Sequence, residues 1–121
     1  MTHEKDKKKT VETFWARIYV GFKERETGKN IGSIRKTRKI CQRFVDDLSY
    51  CVTIKPIEYR YCKGWERGVE IGLINYPRFP VKNFQTKVYA LSLAETMKAA
   101  FKQIRVTVVM PKETIMLGQY D

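Results

Sequence analysis

The segment Gly72-Leu73-Ile74-Asn75-Tyr76-Pro77-Arg78-Phe79-Pro80 concentrates chemistry-bearing residue types in nine positions. An apolar run of strand character (Val69, Ile71, Leu73) ends there in two prolines, an amide, a cation and two aromatics. Pro77 and Pro80 lack a backbone N–H and fix their own φ, so Arg78 and Phe79 fall in a stiff segment outside any sheet ladder. A guanidinium next to an aromatic face on a rigid loop suits a nucleotide, one group for phosphate and one for base. The bland alternative is a strand-to-helix connection whose Phe79 plugs a core edge.

A second cation, Arg105, lies between apolar Ile104 and Val106 in a β-branched run. On an open strand it points to solvent; facing a partner subunit it would be partly desolvated and strong for phosphate. Catalytic signals are sparse. The single histidine is His3, in a lysine-rich terminus, which argues against a histidine base or triad. Asp46 and Asp47 are adjacent and point apart, so they form no shared acid–base dyad. No phosphate-loop, dinucleotide or metal-ligand motif occurs, and a protein that is not an enzyme, without cofactor or metal, is the expectation.

The elements that must position these residues follow from the pattern. With 121 residues, 43% hydrophobic and 31% charged, the chain has the makeup of one soluble globular domain. Its net charge of +11 calls for an anionic partner. Residues 1–11 form a basic, flexible arm, and residues 12–121 one α+β ligand-binding domain. The arm has no apolar run behind it to make a secretory signal, and no stretch reaches bilayer length. Cys41, Cys51 and Cys62 form no CxxC pair, which leaves neither a disulfide framework nor a zinc site and fits a reducing cytosol.

Phe14, Ala16, Ile18, Val20 and Phe22 alternate with Trp15, Arg17 and Tyr19, a half-buried strand. Ser33 is placed to cap a helix carrying Ile34, Thr37, Cys41, Phe44, Val45 and Leu48, whose other face holds Arg35, Lys36, Arg38, Lys39 and Arg43. Such a charge run is ordinarily a solvated face. Strands over 50–61 and 69–74 follow, joined by a longer hairpin loop through Gly64-Trp65-Glu66-Arg67-Gly68. A second helix runs from about Asn83 to Lys102 with Val88, Leu91, Ala94, Met97 and Phe101 buried. A strand through Ile104, Val106 and Val108 comes next, then a short edge strand over 114–117. The order βαββαβ is that of a ferredoxin-like fold, an antiparallel sheet with both helices on one face and a short extra C-terminal strand.

That architecture leaves one sheet face bare, with Trp15, Tyr19, Tyr59 and Tyr61 as its aromatic lining. Ile18-Tyr19-Val20-Gly21-Phe22 resembles the first-strand motif of RNA-recognition domains, but Gly68–Leu73 puts Glu70 where that family wants an anion-friendly surface. An RNA or single-stranded DNA binding module is therefore the alternative function.

Ile18–Gly21, Ile40-Cys41, Cys51–Thr53, Gly72–Pro80, Arg105–Thr107 and Glu113–Leu117 together resemble the small phage anti-Thoeris sponge proteins, over nearly the whole chain from Trp15 to Leu117. The resemblance implies a non-enzymatic protein in the host bacterial cytoplasm that sequesters a cyclic ADP-ribose isomer and so blocks Thoeris immunity. It implies a homo-oligomer, a dimer or an assembly of dimers, and leaves open a second pocket for cyclic oligonucleotides. A membrane is not among the implied partners, and a nucleic-acid polymer is disfavoured. Arg78 and Arg105 would then meet the pyrophosphate, with Lys23 or Arg25 closing the site. Phe79 would stack on adenine and Asn75 read a base edge or a ribose hydroxyl.

Overall fold

The computed structural model describes residues 7–119. Most of the lysine-rich arm, and His3 with it, lies outside them. The order is β1 (Trp15–Gly21), α1 (Ile34–Leu48), β2 (Thr53–Tyr61), β3 (Gly64–Ile74), α2 (Asn83–Ala100), β4 (Arg105–Val109) and β5 (Thr114–Gly118). The strands form one antiparallel sheet in the order β2-β3-β1-β4-β5. This is the expected α+β ferredoxin-like fold with an added edge strand.

The alternation in β1 sets the layers. Ala16, Ile18 and Val20 are fully buried against the helices, together with Val69, Ile71 and Leu73 of β3 and Val106 and Val108 of β4. Leu93, Ala94 and Met97 of α2, with Phe101 just beyond it, cover them, and α1 adds Thr37 and Cys41. Ser33 caps α1 as its sequence predicts, its hydroxyl accepting the Lys36 N–H at 3.0 Å. Pro56 is tolerated because β2 is an edge strand.

Two expectations need correction. The hairpin loop is short: Tyr61 pairs with Gly64, so only Cys62 and Lys63 turn, with Lys63 at φ 60°. Trp65, Glu66, Arg67 and Gly68 belong to β3, and the Arg60 guanidinium sits 5.3 Å over the paired Trp65 ring. The cross-strand stack and the two-residue turn extend the ladder through a segment whose glycines suggest a loop. The buried stripe expected of α2 is met in its second half, at Ala94, Met97 and Phe101, and departs in its first. Thr86, Ala90, Leu93, Ala94 and Met97 face inward, while Val88 is 51% exposed and Leu91 half-buried. Ala90 and Leu93 take the inward places expected of Val88 and Leu91, and small Ala90 beside Ala94 lets the helix approach the sheet.

Candidate functional site

The bare face of the sheet carries the odd positions of β1 and β2 and the even positions of β3. Register brings Tyr19 opposite Glu70 and Thr107, and Tyr59 opposite Glu66. Two glycines shape this surface. A Cβ on Gly68 would lie 2.7 Å from the Tyr59 ring and one on Gly21 2.7 Å from a Glu66 carboxylate oxygen. The paired glycines of β1 and β3 therefore make the floor on which Tyr59 and Glu66 lie.

Above that floor is a cavity of about 570 Å³. Tyr19, Tyr59 and Tyr61 form its aromatic part, Gln103, Arg105 and Thr107 come from around β4, and the loop after β1 supplies Lys23, Glu24, Arg25 and Gly28. The loop is a folded one. Lys23 and Asn30 form a β-bridge, the Glu24 N–H donates to the Lys29 carbonyl at 2.8 Å, and Gly28 takes φ 70°. Its base is fastened on both backbone groups of Lys23: the N–H donates to Glu66 Oε2 at 2.9 Å, and the carbonyl accepts from Gln103 Nε2 at 3.0 Å.

The electrostatics are mixed in sign. Burial pushes the Tyr59 hydroxyl well above the ordinary tyrosine range, and the Glu66 carboxylate and Tyr19 add to it. Burial also raises Tyr19, with its hydroxyl bonded to Glu70. Both phenols are therefore neutral donors near pH 7, in a cavity that also holds the Glu24 and Glu66 carboxylates and the cations Lys23, Arg25 and Arg105. Such a pocket suits a ligand with an aromatic ring and charges of both signs. Among the described residues, no group of three or more His, Cys, Asp or Glu is placed to hold a metal ion.

The six residues singled out in sequence fall into two sets. Lys23, Arg25 and Arg105 meet at this cavity, where the Arg105 Nη1 also donates to the Gln119 carbonyl at 3.4 Å. Asn75, Arg78 and Phe79 lie at the opposite end of β1. Asn75 is only 8% exposed; its amide donates to the Glu12 carbonyl at 2.8 Å and accepts from the Val81 N–H at 3.1 Å. Phe79 ends a chain of ring contacts through Tyr76, Tyr50, Tyr89 and Phe44, edge-to-face except for the tilted Tyr50–Tyr89 pair, with centroids 5.3–6.5 Å apart. The Arg78 guanidinium is exposed, 5.6 Å over the Phe79 ring. The sequence reasoning passed over Glu66, Gln103 and Thr107. The signal that could have found Glu66 is the pair of glycines at 21 and 68, which the long-range pairing of β1 with β3 brings face to face.

Comparison with protein-family models and with curated proteins gives no match. Among solved structures, a phage SAM lyase in its apo state superposes with a TM-score of 0.73 at 18% identity, over 89% of this chain and 92% of that one. A phage SAM lyase in complex with S-methyl-5′-thioadenosine superposes with a TM-score of 0.72 at 15% identity, over 98% and 100%. The expectation that a chain with this pattern is not an enzyme is overturned by that likeness. An enzyme is built on the same architecture over essentially its whole length, so the scarcity of histidine and of catalytic motifs is no argument against catalysis. No helix among the described residues is long and apolar enough to cross a membrane. The chain shares its fold with phage lyases that act on a small molecule.

Proposed function

We propose that this chain is a phage lyase that cleaves S-adenosylmethionine (SAM) in the bare-face cavity, releasing S-methyl-5′-thioadenosine. The observation that carries this reading is the mixed character of that cavity, tyrosines and Glu66 on its floor and Lys23, Arg25 and Arg105 at its rim, on a chain that superposes end to end with such a lyase. SAM has the matching parts: an adenine for a tyrosine face, a sulfonium and an ammonium for carboxylate and phenol oxygens, and a carboxylate for the cations.

The chemistry asks little of an acid or base. A sulfonium is already an activated leaving group, so breaking its bond to the methionine-derived carbon leaves the electron pair on sulfur as a neutral thioether. Without water, the departing four-carbon fragment must close on its own carboxylate or lose a proton to become an alkene. Closure brings opposite charges together and quenches both, which a poorly solvating aromatic wall favours. Tyr19 and Tyr59 would supply that wall, Glu66 would hold the sulfonium side, and Arg105 with Arg25 would hold the carboxylate end in a reactive fold.

Mixing the purified protein with SAM and separating the products by chromatography tests this. The expected result is S-methyl-5′-thioadenosine accumulating over many turnovers, with mass spectrometry identifying the second fragment. SAM recovered unchanged at stoichiometric enzyme would overturn it.

A second reading has one favouring observation, the meeting of three cations at one cavity. They suit the pyrophosphate of a cyclic ADP-ribose isomer, the signal implied by the anti-Thoeris resemblance. The carboxylates of Glu66 and Glu24 in the same cavity favour SAM over that dianion. In either case the chain acts on an adenosine-derived small molecule of the host. An isomer retained on a filter with the protein, alongside untouched SAM, would select the second reading.

A further inference from the structure

The most strongly charged surface of the molecule is not at the cavity. The exposed side of α1 carries Arg35, Lys36, Arg38, Lys39 and Arg43, all exposed, on the face of the fold turned away from the bare side of the sheet. Among the described residues none of the five pairs with a carboxylate; Lys36 Nζ donates to the Ile31 carbonyl at 2.8 Å. Arg35, Lys39 and Arg43 recur every four residues, a row with steps of about 6 Å along the helix.

The charge order also runs against the helix. No acid stands in the first turn, the cations fill the N-terminal half, and the acids, Asp46 and Asp47, come near the C-terminal end. The macrodipole favours the reverse order, so this arrangement weakens α1 in isolation and becomes favourable only when an anion lies along the N-terminal half. A face that needs only solubility would be served as well by the opposite order.

We propose that this face of α1 binds the sugar–phosphate backbone of a nucleic-acid duplex, without regard to base sequence. The proposal does not rest on the lyase reading. A repeating polyanion matches a row of cations, whereas a single small anion would use two of them. The one aromatic of α1 does not face outward to stack an unpaired base, since Phe44 packs edge-on against Tyr89 at 6.2 Å. A lipid surface fits less well, because Ile34, Ile40 and Phe44 pack against the core and the exposed apolar residue of α1, Leu48, lies at its acidic end beside Asp46 and Asp47, away from the cations.

The test is fluorescence anisotropy of the full chain with a labelled 20-base-pair DNA duplex of arbitrary sequence at several salt concentrations. A matched RNA duplex and phosphatidylserine-containing vesicles are run alongside. Four to five phosphate contacts predict a log–log salt slope of about −4. The variant Arg35→Glu/Lys39→Glu/Arg43→Glu should bind at least tenfold more weakly and lose about three units of slope. The charge-matched control Lys82→Glu/Lys102→Glu/Lys112→Glu should bind nearly as the parent does, and both variants should keep the parent circular dichroism and melting curve. Equal binding of DNA and RNA duplexes supports the backbone reading, and preference for one names the source. Absence of duplex binding, capture by vesicles alone, or equal weakening by both triple variants would overturn the proposal.

Discussion

The two ends of β1 hold the two groups of residues that attract notice in this sequence, and they use them differently. At the Trp15 end, the Asn75–Pro80 segment borders an open groove similar in volume to the cavity, but its groups are engaged within the fold: Asn75 spends its amide on the Glu12 carbonyl and the Val81 N–H, and Phe79 spends its ring on Tyr76. At the Gly21 end, a 570 Å³ cavity gathers tyrosines, carboxylates and cations from β1, β2, β3 and β4 and one loop. A conspicuous local motif is thus compatible with a packing task, while a candidate site can be assembled from residues that look ordinary one at a time.

The largest separation between the two ends should come from Glu66→Gln set against Asn75→Ala. Glu66→Gln keeps an oxygen for the Lys23 N–H but removes the charge, and SAM turnover is expected to fall at least a hundredfold with little change in Tm. Asn75→Ala leaves the Glu12 carbonyl and the part-buried Val81 N–H short of a partner, so it should cost about 1–3 kcal/mol in a denaturant melt. Its activity per folded molecule should stay near the parent's. If Asn75→Ala lost turnover while keeping its Tm, the division between the ends would fail.

Gly68→Ala comes next. The new Cβ would meet the Val20 carbonyl at 2.5 Å and the Tyr59 ring at 2.7 Å, so about 1–3 kcal/mol of stability should go, with turnover, as Tyr59 is displaced. Arg105→Ala should raise KM about tenfold, equivalent to about 1.4 kcal/mol of binding, and leave Tm unchanged. Arg78→Ala, at the other end, should leave KM unchanged and lower stability by about 0.5–1 kcal/mol at most, the worth of an exposed cation–π contact.

Alkaline pH offers a weaker discrimination. Burial raises Tyr59 strongly and pushes Tyr76 up to about 12, partly through Cys51, and Cys41 up to about 11. The unfolded chain gives up these protons first, near pH 9 for the thiol and near 10 for the phenols, so the folded state binds more protons above that. Stability should therefore be level below about pH 9 and fall as pH rises through 10 to 12. Tyr59→Phe should flatten that fall, as read from urea midpoints at pH 8 and pH 11. A midpoint that rose with alkali would contradict the burial of these groups.

Much of the fold was legible. Alternation from Ala16 to Phe22 and the Ser33 cap are local signals, written in period and residue type, and they hold in the structure. In the α2 stripe Ala94, Met97 and Phe101 were read correctly, while Ala90 and Leu93 face inward in place of Val88 and Leu91 because close approach at Ala90, not size or apolarity, settles that turn. The site was half legible. Lys23, Arg25 and Arg105 converge, and the tyrosines on the bare face were foreseen. Glu66 was hidden because Trp65–Gly68 reads as a loop until the two-residue turn at Cys62-Lys63 is known. That register is decided across strands, by Arg60 on Trp65 and Gly21 against Gly68, and no single stretch of sequence contains it.

The central claim is where the ligand sits. A crystal of the protein grown with S-methyl-5′-thioadenosine would locate it directly. The account predicts the adenosine against Tyr19 and Tyr59 with its sulfur toward Glu66, in the cavity closed by the Lys23–Asn30 loop. Density beside Arg78 and Phe79, with that cavity left to water, would contradict it.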